Sequence, residues 1–245
     1  MGLPGAGKTT LAKLLSDKIN ATHLNADEVR ASVNSDLSFS PEDRIEQARR
    51  MGDMARLIAK QNVAPVVVDF VCPTDETRRA FGRANHITWV SRIEEGRFPD
   101  TNAIWQDPIS YDLKINFGLT PEQEADAVMR HAGMFDWRRP TTLMLGRYQP
   151  WHEGHHALYQ EGFNKTDQVL IAVRDTYKTS TKDPLTFDQV SQLIYQNEGD
   201  VFVLKLPNIT NIIYGRDVGY SIEQVNLSED LQKISATQKR KELGI

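Results

Sequence analysis

The chain is almost without cysteine. Cys72 is the single one in 245 residues, so no disulfide within the chain can staple it, and this fits a reducing compartment. It also lacks any uninterrupted apolar run near the roughly 20 residues that a spanning helix needs, and no leader pattern is visible at its start. The expectation is a cytoplasmic protein with no membrane partner. Excess positive charge is absent too. The net charge of −4 gives no general grip on nucleic acid or an anionic surface, although a local basic pocket for a small phosphorylated ligand stays open. What is present is ordinary globular material: 40% hydrophobic residues, enough for packed cores, in a length that suits one large domain or two small ones.

The densest chemistry lies at Leu145-Gly146-Arg147-Tyr148-Gln149-Pro150-Trp151-His152-Glu153-Gly154-His155. A short apolar run, Thr141 to Leu145, reads as a strand before it, and His156 to Phe163 reads as a helix after it. Strand, turn, two histidines and helix start are the parts of a triphosphate site, in which helix-start N–H groups and imidazoles face the phosphates. His152 and His156 also have the spacing of a zinc-binding helix with Glu153 between them, but Pro150 places His152 on a turn instead.

A second phosphate site of another type opens the chain. Residues 2–9 match G-x-x-x-x-G-K-[ST]. Backbone N–H groups around Gly2, Gly5 and Gly7 would wrap the phosphates, Lys8 would reach the β- and γ-phosphates, and the Thr9 hydroxyl would ligate Mg2+. Leu11, Leu14, Leu15 and Ile19 then recur at helical spacing. A phosphate loop normally follows a central strand, and little precedes this one: either the start is misassigned, or the native chain begins late, or the first strand is missing, which would leave its neighbours with unpaired edges. Thr22 to Leu24 and Val66 to Val68 read as strands. Asp69, at the end of the latter, suits magnesium or a reacting hydroxyl, although an aspartate capping a turn would read the same. Ser40-Pro41-Glu42-Asp43 is a helix start, and Thr120 with Gln123 and Thr186 with Gln189 are capping boxes.

Gly2 to Ala12 resembles the phosphate loop of adenylylsulfate kinases, and Leu24 to Arg30 resembles that family's second motif, with Asn25-Ala26 departing from its usual Asp-Gly. The resemblance covers roughly residues 2–80. It implies an enzyme that phosphorylates a ribose 3′-hydroxyl, with Asp27 orienting or deprotonating that hydroxyl, Arg30 holding an anionic substrate, and Thr10 joining the nucleotide contacts. Beyond Arg79 the match fades. The family's arginine-bearing lid is replaced by Arg92 to Asn102, where Arg92 and Arg97 are candidates to serve the phosphates.

Gly146 to His155 resembles the first motif of the nucleotidylyltransferase superfamily, in wording closest to nicotinamide mononucleotide adenylyltransferases. Ile234-Ser235-Ala236-Thr237-Gln238-Lys239-Arg240 resembles its second. The resemblance implies that His152 and His155 bind the triphosphate and stabilise charge on the α-phosphorus. It implies nucleotide contacts from Gly146, Arg147, Tyr148, Gln149 and Gly154, and a grip on the outer phosphates from Ser235, Thr237 and Arg240. Arg174, after the strand Asp167 to Val173, and Arg216, in a polar stretch after the strand Val201 to Leu206, are acceptor-side candidates together with Arg30 and Asp69.

The expected architecture is α/β throughout: a kinase-like parallel-sheet domain at residues 1–138 and a small Rossmann-like transferase domain at 139–245. The expected function is bifunctional. The C-terminal half moves an adenylyl group from ATP to a phosphorylated acceptor, nicotinamide mononucleotide favoured, and the N-terminal half is an ATP-dependent kinase, with Mg2+ at both sites. A cytidylyltransferase coupled to a nucleotide kinase, or a transferase with a non-catalytic N-terminal half, is the alternative. The partners are small phosphorylated or nucleotide substrates, not nucleic acid, and a homo-oligomer is compatible with this reading.

Overall fold

A computed structural model describes residues 1–61, 64–176, 178–199, 201–213, 215–216, 219, 221–228, 234 and 236–243, without the side chains of 236 and 243. The chain divides into two compact units, Met1–Arg138 and Arg139–Ile245. Among the described residues no helix is long and apolar enough to cross a membrane.

The first unit alternates helices with short strands: α1 (Lys8–Ile19), β1 (Thr22–Asn25), α2 (Ala26–Ser32), α3 (Pro41–Gln61), β2 (Val66–Asp69), α4 (Asp75–Phe81), β3 (Thr88–Val90), α5 (Pro99–Ile104), β4 (Leu113–Ile115) and α6 (Pro121–His131). Strand β1 pairs in parallel with β2, Asn25 opposite Asp69, and β3 pairs in parallel with β4. Among the described residues no strand joins β2 to β3, as expected, but the β3 edge is bonded by the residues before the glycine turn. The Met1 amino group donates to Thr88 O at 2.8 Å, Val90 N–H donates to Met1 O at 2.8 Å, and Gly2 N–H reaches Val71 O at 3.4 Å. Met1 and Gly2 therefore stand where a strand between the β2 and β3 edges would run, and Met1 bonds β3 in the parallel manner.

The helical spacing in α1 becomes packing. Leu11, Leu15 and Ile19 bury against Val90 and Ile115 of the strands and Ala125, Val128 and Met129 of α6. Each large side chain so buried contributes about 1.5–3 kcal/mol. Helix α1 stops at Asn20, whose φ of 52° is left-handed. A second cluster, Ala26, Val29 and Met51, seats α2 on α3 and so fixes the direction of Asp27 and Arg30.

The second unit contains β5 (Thr142–Gly146), α7 (Glu153–Thr166), β6 (Val169–Arg174), α8 (Phe187–Glu198), β7 (Phe202–Leu206) and α9 (Ala236–Leu243). Its sheet is parallel in the order β5-β6-β7. The middle strand carries Ile171, Ala172 and Val173, at most 1% exposed, and packs with Met144, Val190 and Ile194. Helix α7 begins at Glu153, three residues before the start expected from the sequence, because the His152 side chain caps it. The capping boxes at Thr120 and Thr186 form with both reciprocal bonds.

Candidate functional site

The turn before α1 combines three glycines of positive φ: Gly2 at 152°, Gly5 at 95° and Gly7 at 89°. At Gly2 a Cβ would also lie 2.3 Å from Val90 O, so glycine is required by space as well as by backbone. Gly7 is the N-cap of α1 and supplies no side-chain cap, whereas α2, α4 and α6 are each capped by a side chain. The first N–H groups of α1 are thus free of that intramolecular acceptor, at the positive end of the helix dipole, which is what an anion needs. Lys8 lies beside them with Nζ on Leu3 O at 2.9 Å. Burial pushes its ammonium down to about 8, against the opposing fields of Asp69 and Asp27.

Thr9 donates from Oγ1 to Asp69 Oδ2 at 2.6 Å, and Asn25 and His23 complete the surroundings of that carboxylate. Thr10 is exposed on the next position. Asp27 sits in the first turn of α2 and is an electrostatic neighbour of both Lys8 and Arg30. Arg30 turns toward the loop after its helix, donating to Leu37 O at 3.3 Å and to Ser38 O, with its guanidinium 4.6 Å from the centre of the Phe39 ring. Arg44 lies 5.5 Å from the same ring. Phe39 itself is 64% exposed, with both guanidiniums over its ring. Neither Phe39 nor Arg44 was singled out in the sequence; the available signal was an aromatic flanked by arginines near a helix start.

The stretch Arg92 to Asn102 covers the loop. Arg97 N–H donates to Pro4 O at 3.2 Å, and Asn102 fixes Gly96 through both its backbone groups at 2.9 and 3.0 Å. A Cβ at Gly7 would meet Arg92 Nη1 at 2.3 Å, and one at Gly5 would meet Arg97 Nε at 3.1 Å. Both guanidiniums therefore lie against the loop. Arg92 is paired with Glu124, which is fully buried on α6.

In the second unit His152 is the N-cap of α7 in extended backbone. Gly154 N–H donates to His152 Nδ1 at 3.2 Å, and His152 N–H donates to His155 Nδ1 at 3.3 Å. A ring nitrogen that accepts carries no proton, so each neutral imidazole bears its proton on Nε2 and offers a donor there. Burial pushes the His155 imidazole down to about 3, with the His152 ring adding to it, and burial lowers His152 as well. Tyr148, at a φ of 50°, lays its ring over Gly146, where a Cβ would sit 2.7 Å from the ring carbons. Gln149 donates to Leu185 O and accepts from Leu185 N–H, both at 2.9 Å.

Arg240 donates to Gln149 O at 2.8 Å and to Thr237 Oγ1 at 3.0 Å, so the second motif meets the first through α9. Ser235 lies outside the described residues. At the carboxyl ends of β5 and β6 is a cavity of about 240 Å³ lined by Gly146, Arg147, Arg174, Thr210 and Asn211 among others. Arg147 also reaches Asp183 at 3.1 Å and Arg174 reaches Asn208 at 2.7 Å. Arg216 is exposed and does not line this cavity; nothing in the described residues draws it to the acceptor side.

The family model for adenylylsulphate kinase matches residues 1–92. The "Probable adenylyl-sulfate kinase" of Pseudomonas aeruginosa is 42% identical over 180 residues, covering 62% of this chain and 83% of that protein. The chain belongs to the adenylylsulfate kinase family. The bifunctional enzyme NodQ of Rhizobium sp. (strain N33) is 41% identical over 135 residues, 51% of this chain and 21% of NodQ. The bifunctional enzyme CysN/CysC of Xylella fastidiosa is 37% identical over 83 residues, 32% of this chain and 13% of that enzyme. The chain thus spans about a fifth or less of these two relatives.

These relatives correct the expected acceptor. In their light, transfer to sulfate is better supported than transfer to nicotinamide mononucleotide. The physical reason for the misreading lies in the motif itself. Gly146 to His155 shapes a turn and two imidazoles suited to a triphosphate, and carries no information about the molecule that attacks it.

Proposed function

We propose that this member of the adenylylsulfate kinase family is a two-site nucleotide enzyme whose two reactions are consecutive. In the first unit, ATP places its phosphates on the glycine turn and Lys8, and the ribose hydroxyl of adenylylsulfate attacks the γ-phosphorus. Asp27 accepts the hydroxyl proton, and Arg30 with Arg44 holds the substrate's anionic end beside Phe39. The hard oxygen of Thr9 fits Mg2+, which when bound would neutralise charge on the phosphoryl oxygens. In the second unit, His152 and His155 donate from Nε2 to the triphosphate, and Arg240 and Thr237 hold its outer phosphates. An acceptor oxygen attacks the α-phosphorus and pyrophosphate leaves with the electron pair of the broken P–O bond. Positioning and charge neutralisation supply the catalysis.

Sulfate is the acceptor this reading favours. It is supported by the likeness to the two bifunctional relatives and by a cavity of about 240 Å³ whose lining includes Arg147 and Arg174. Guanidinium forks match the geometry of tetrahedral oxyanions. The product of that step, adenylylsulfate, is the substrate of the first.

The observation that carries the kinase reading is the uncapped start of α1, with Lys8 and Thr9 on it and Asp27, from the first turn of α2, an electrostatic neighbour of Lys8. The test is ADP formation from ATP and adenylylsulfate by the whole chain. Formation that is lost in Lys8→Ala supports the reading, and none in the wild type sinks it. The transferase reading is tested by pyrophosphate release from ATP and sulfate, with His155→Ala as control.

A further inference from the structure

Asn25 and Asp69 are register partners on β1 and β2. Asp69 is only 5% exposed, and its carboxylate is surrounded. Thr9 Oγ1 donates to Oδ2 at 2.6 Å, Asn25 Nδ2 donates to both oxygens at 3.1 Å, and His23 Nε2 lies 2.7 Å from Oδ1. The family motif that residues 24–30 resemble has aspartate where this chain has Asn25. We infer that the magnesium-side carboxylate of the kinase site has crossed one strand in this chain: it is Asp69, and Asn25 is the amide that makes room for it. The inference rests on the kinase reading above.

Three features carry it. Thr9 is the hydroxyl that the loop offers to magnesium, and Asp69 is the carboxylate bonded to it. Cis oxygens of a magnesium octahedron stand about 2.9 Å apart at bond lengths of 2.0–2.1 Å, so the pair at 2.6 Å needs little opening to face one ion together. The amide orientation of Asn25 is also determined. Its Oδ1 accepts from Asp27 N–H and Glu28 N–H, both at 3.0 Å, as the cap of α2, which leaves Nδ2 to point at Asp69. Finally, a carboxylate at 25 would bring two acids to the distance now spanned at 3.1 Å, and two acids so close resist ionising together. One carboxylate and one amide satisfy the site, and either strand could carry either.

The test is hydrogen exchange of the peptide covering residues 2–10 in the whole chain, titrated with ADP in EDTA and then with Mg2+. Following this peptide reads the loop separately from the second unit. In the wild type Mg2+ should lower the ADP concentration that protects the peptide. Asp69→Asn should still be protected by ADP in EDTA, but should need about 10- to 100-fold more Mg2+ for the same tightening. The exchanged pair, Asn25→Asp with Asp69→Asn, should recover the wild-type Mg2+ response, and Asn25→Asp alone should not.

An Asp69→Asn protein with the wild-type Mg2+ response overturns the inference. So does an exchanged pair that responds no better than Asp69→Asn, or loss of ADP binding in EDTA on Asp69→Asn, which would make the residue structural. If ADP never protects the wild-type loop, the kinase reading falls and takes this inference with it.

Discussion

His152 and His155 stack ring on ring, 3.8 Å between centroids and 28° between planes, while each ring accepts a backbone N–H near the start of α7. Protonating either Nδ1 removes its acceptor and places a cation beside its partner. The His155 imidazole, held by burial at about 3, is neutral when folded but titrates near 6.5 when unfolded. The unfolded chain therefore binds the extra proton first. The stability from the neutral ring is complete above about pH 6.5 and drains as pH falls toward 3. Between pH 6.5 and 5 this ring alone should cost about 2 kcal/mol. Urea unfolding of the transition that exposes Trp151, compared with His155→Asn at both pH values, checks it. The variant should show the shallower loss, and equal losses would refute the assignment.

Lys8 gives a pH dependence of opposite sense. Its ammonium, lowered by burial to about 8, is charged at neutral pH and loses its charge above that value, whereas a bound phosphate favours the charged form. ADP affinity at the glycine turn should be level up to about pH 8 and then fall toward tenfold per unit. Lys8→Arg should remove the decline, because guanidinium stays charged. The exchange of residues 2–10 as a function of ADP reads this directly, and an unchanged decline in Lys8→Arg would assign it to another group.

Gly146→Ala tests the turn by space alone. The added methyl would stand 2.7 Å from ring carbons of Tyr148, and that ring is 5% exposed and packed beside Trp151 at 5.1 Å. It has nowhere to withdraw, so the expected loss is about 1–3 kcal/mol. Pairing the change with Tyr148→Leu should recover part of it. A Gly146→Ala protein as stable as wild type in urea would show that the ring yields.

Much of this was legible because it is local. A Thr followed three residues later by Gln announced the starts of α6 and α8, and the spacing of Leu11, Leu15 and Ile19 announced the buried face of α1. The start of α7 was misplaced because histidine is not among the usual capping residues, and the two rings here cap only as a pair. What was not legible depends on partners far away in the chain. Asn25 meets Asp69 through strand register, and Arg44 meets Phe39 through a loop closing on α3. Arg147 and Arg174 share a cavity because β5 and β6 are neighbours. The acceptor was misassigned for a related reason: the phosphate motif is contiguous, while the residues that meet an acceptor are dispersed.

Under the proposed kinase reading, Phe39 offers the sharpest test for separating the two substrates. An aromatic side chain 64% exposed contributes little to the folded core, and the Arg30 and Arg44 guanidiniums lie over its ring, 4.6 and 5.5 Å from the centroid. A planar base could take the guanidiniums' place on the ring if Arg30 and Arg44 turn to meet its anionic tail. In the proposed reading ATP binds at the glycine turn instead, with no contact to this ring required. Phe39→Ala should therefore raise the KM for adenylylsulfate about 5- to 100-fold, as expected for one lost base–aromatic stack of about 1–3 kcal/mol. It should leave the KM for ATP and the unfolding midpoint near wild type. Phe39→Trp should keep most of the affinity. Equal effects on both substrates would mean that the ring shapes the loop, not the nucleotide, and the adenylyl group would have to be sought elsewhere on the unit.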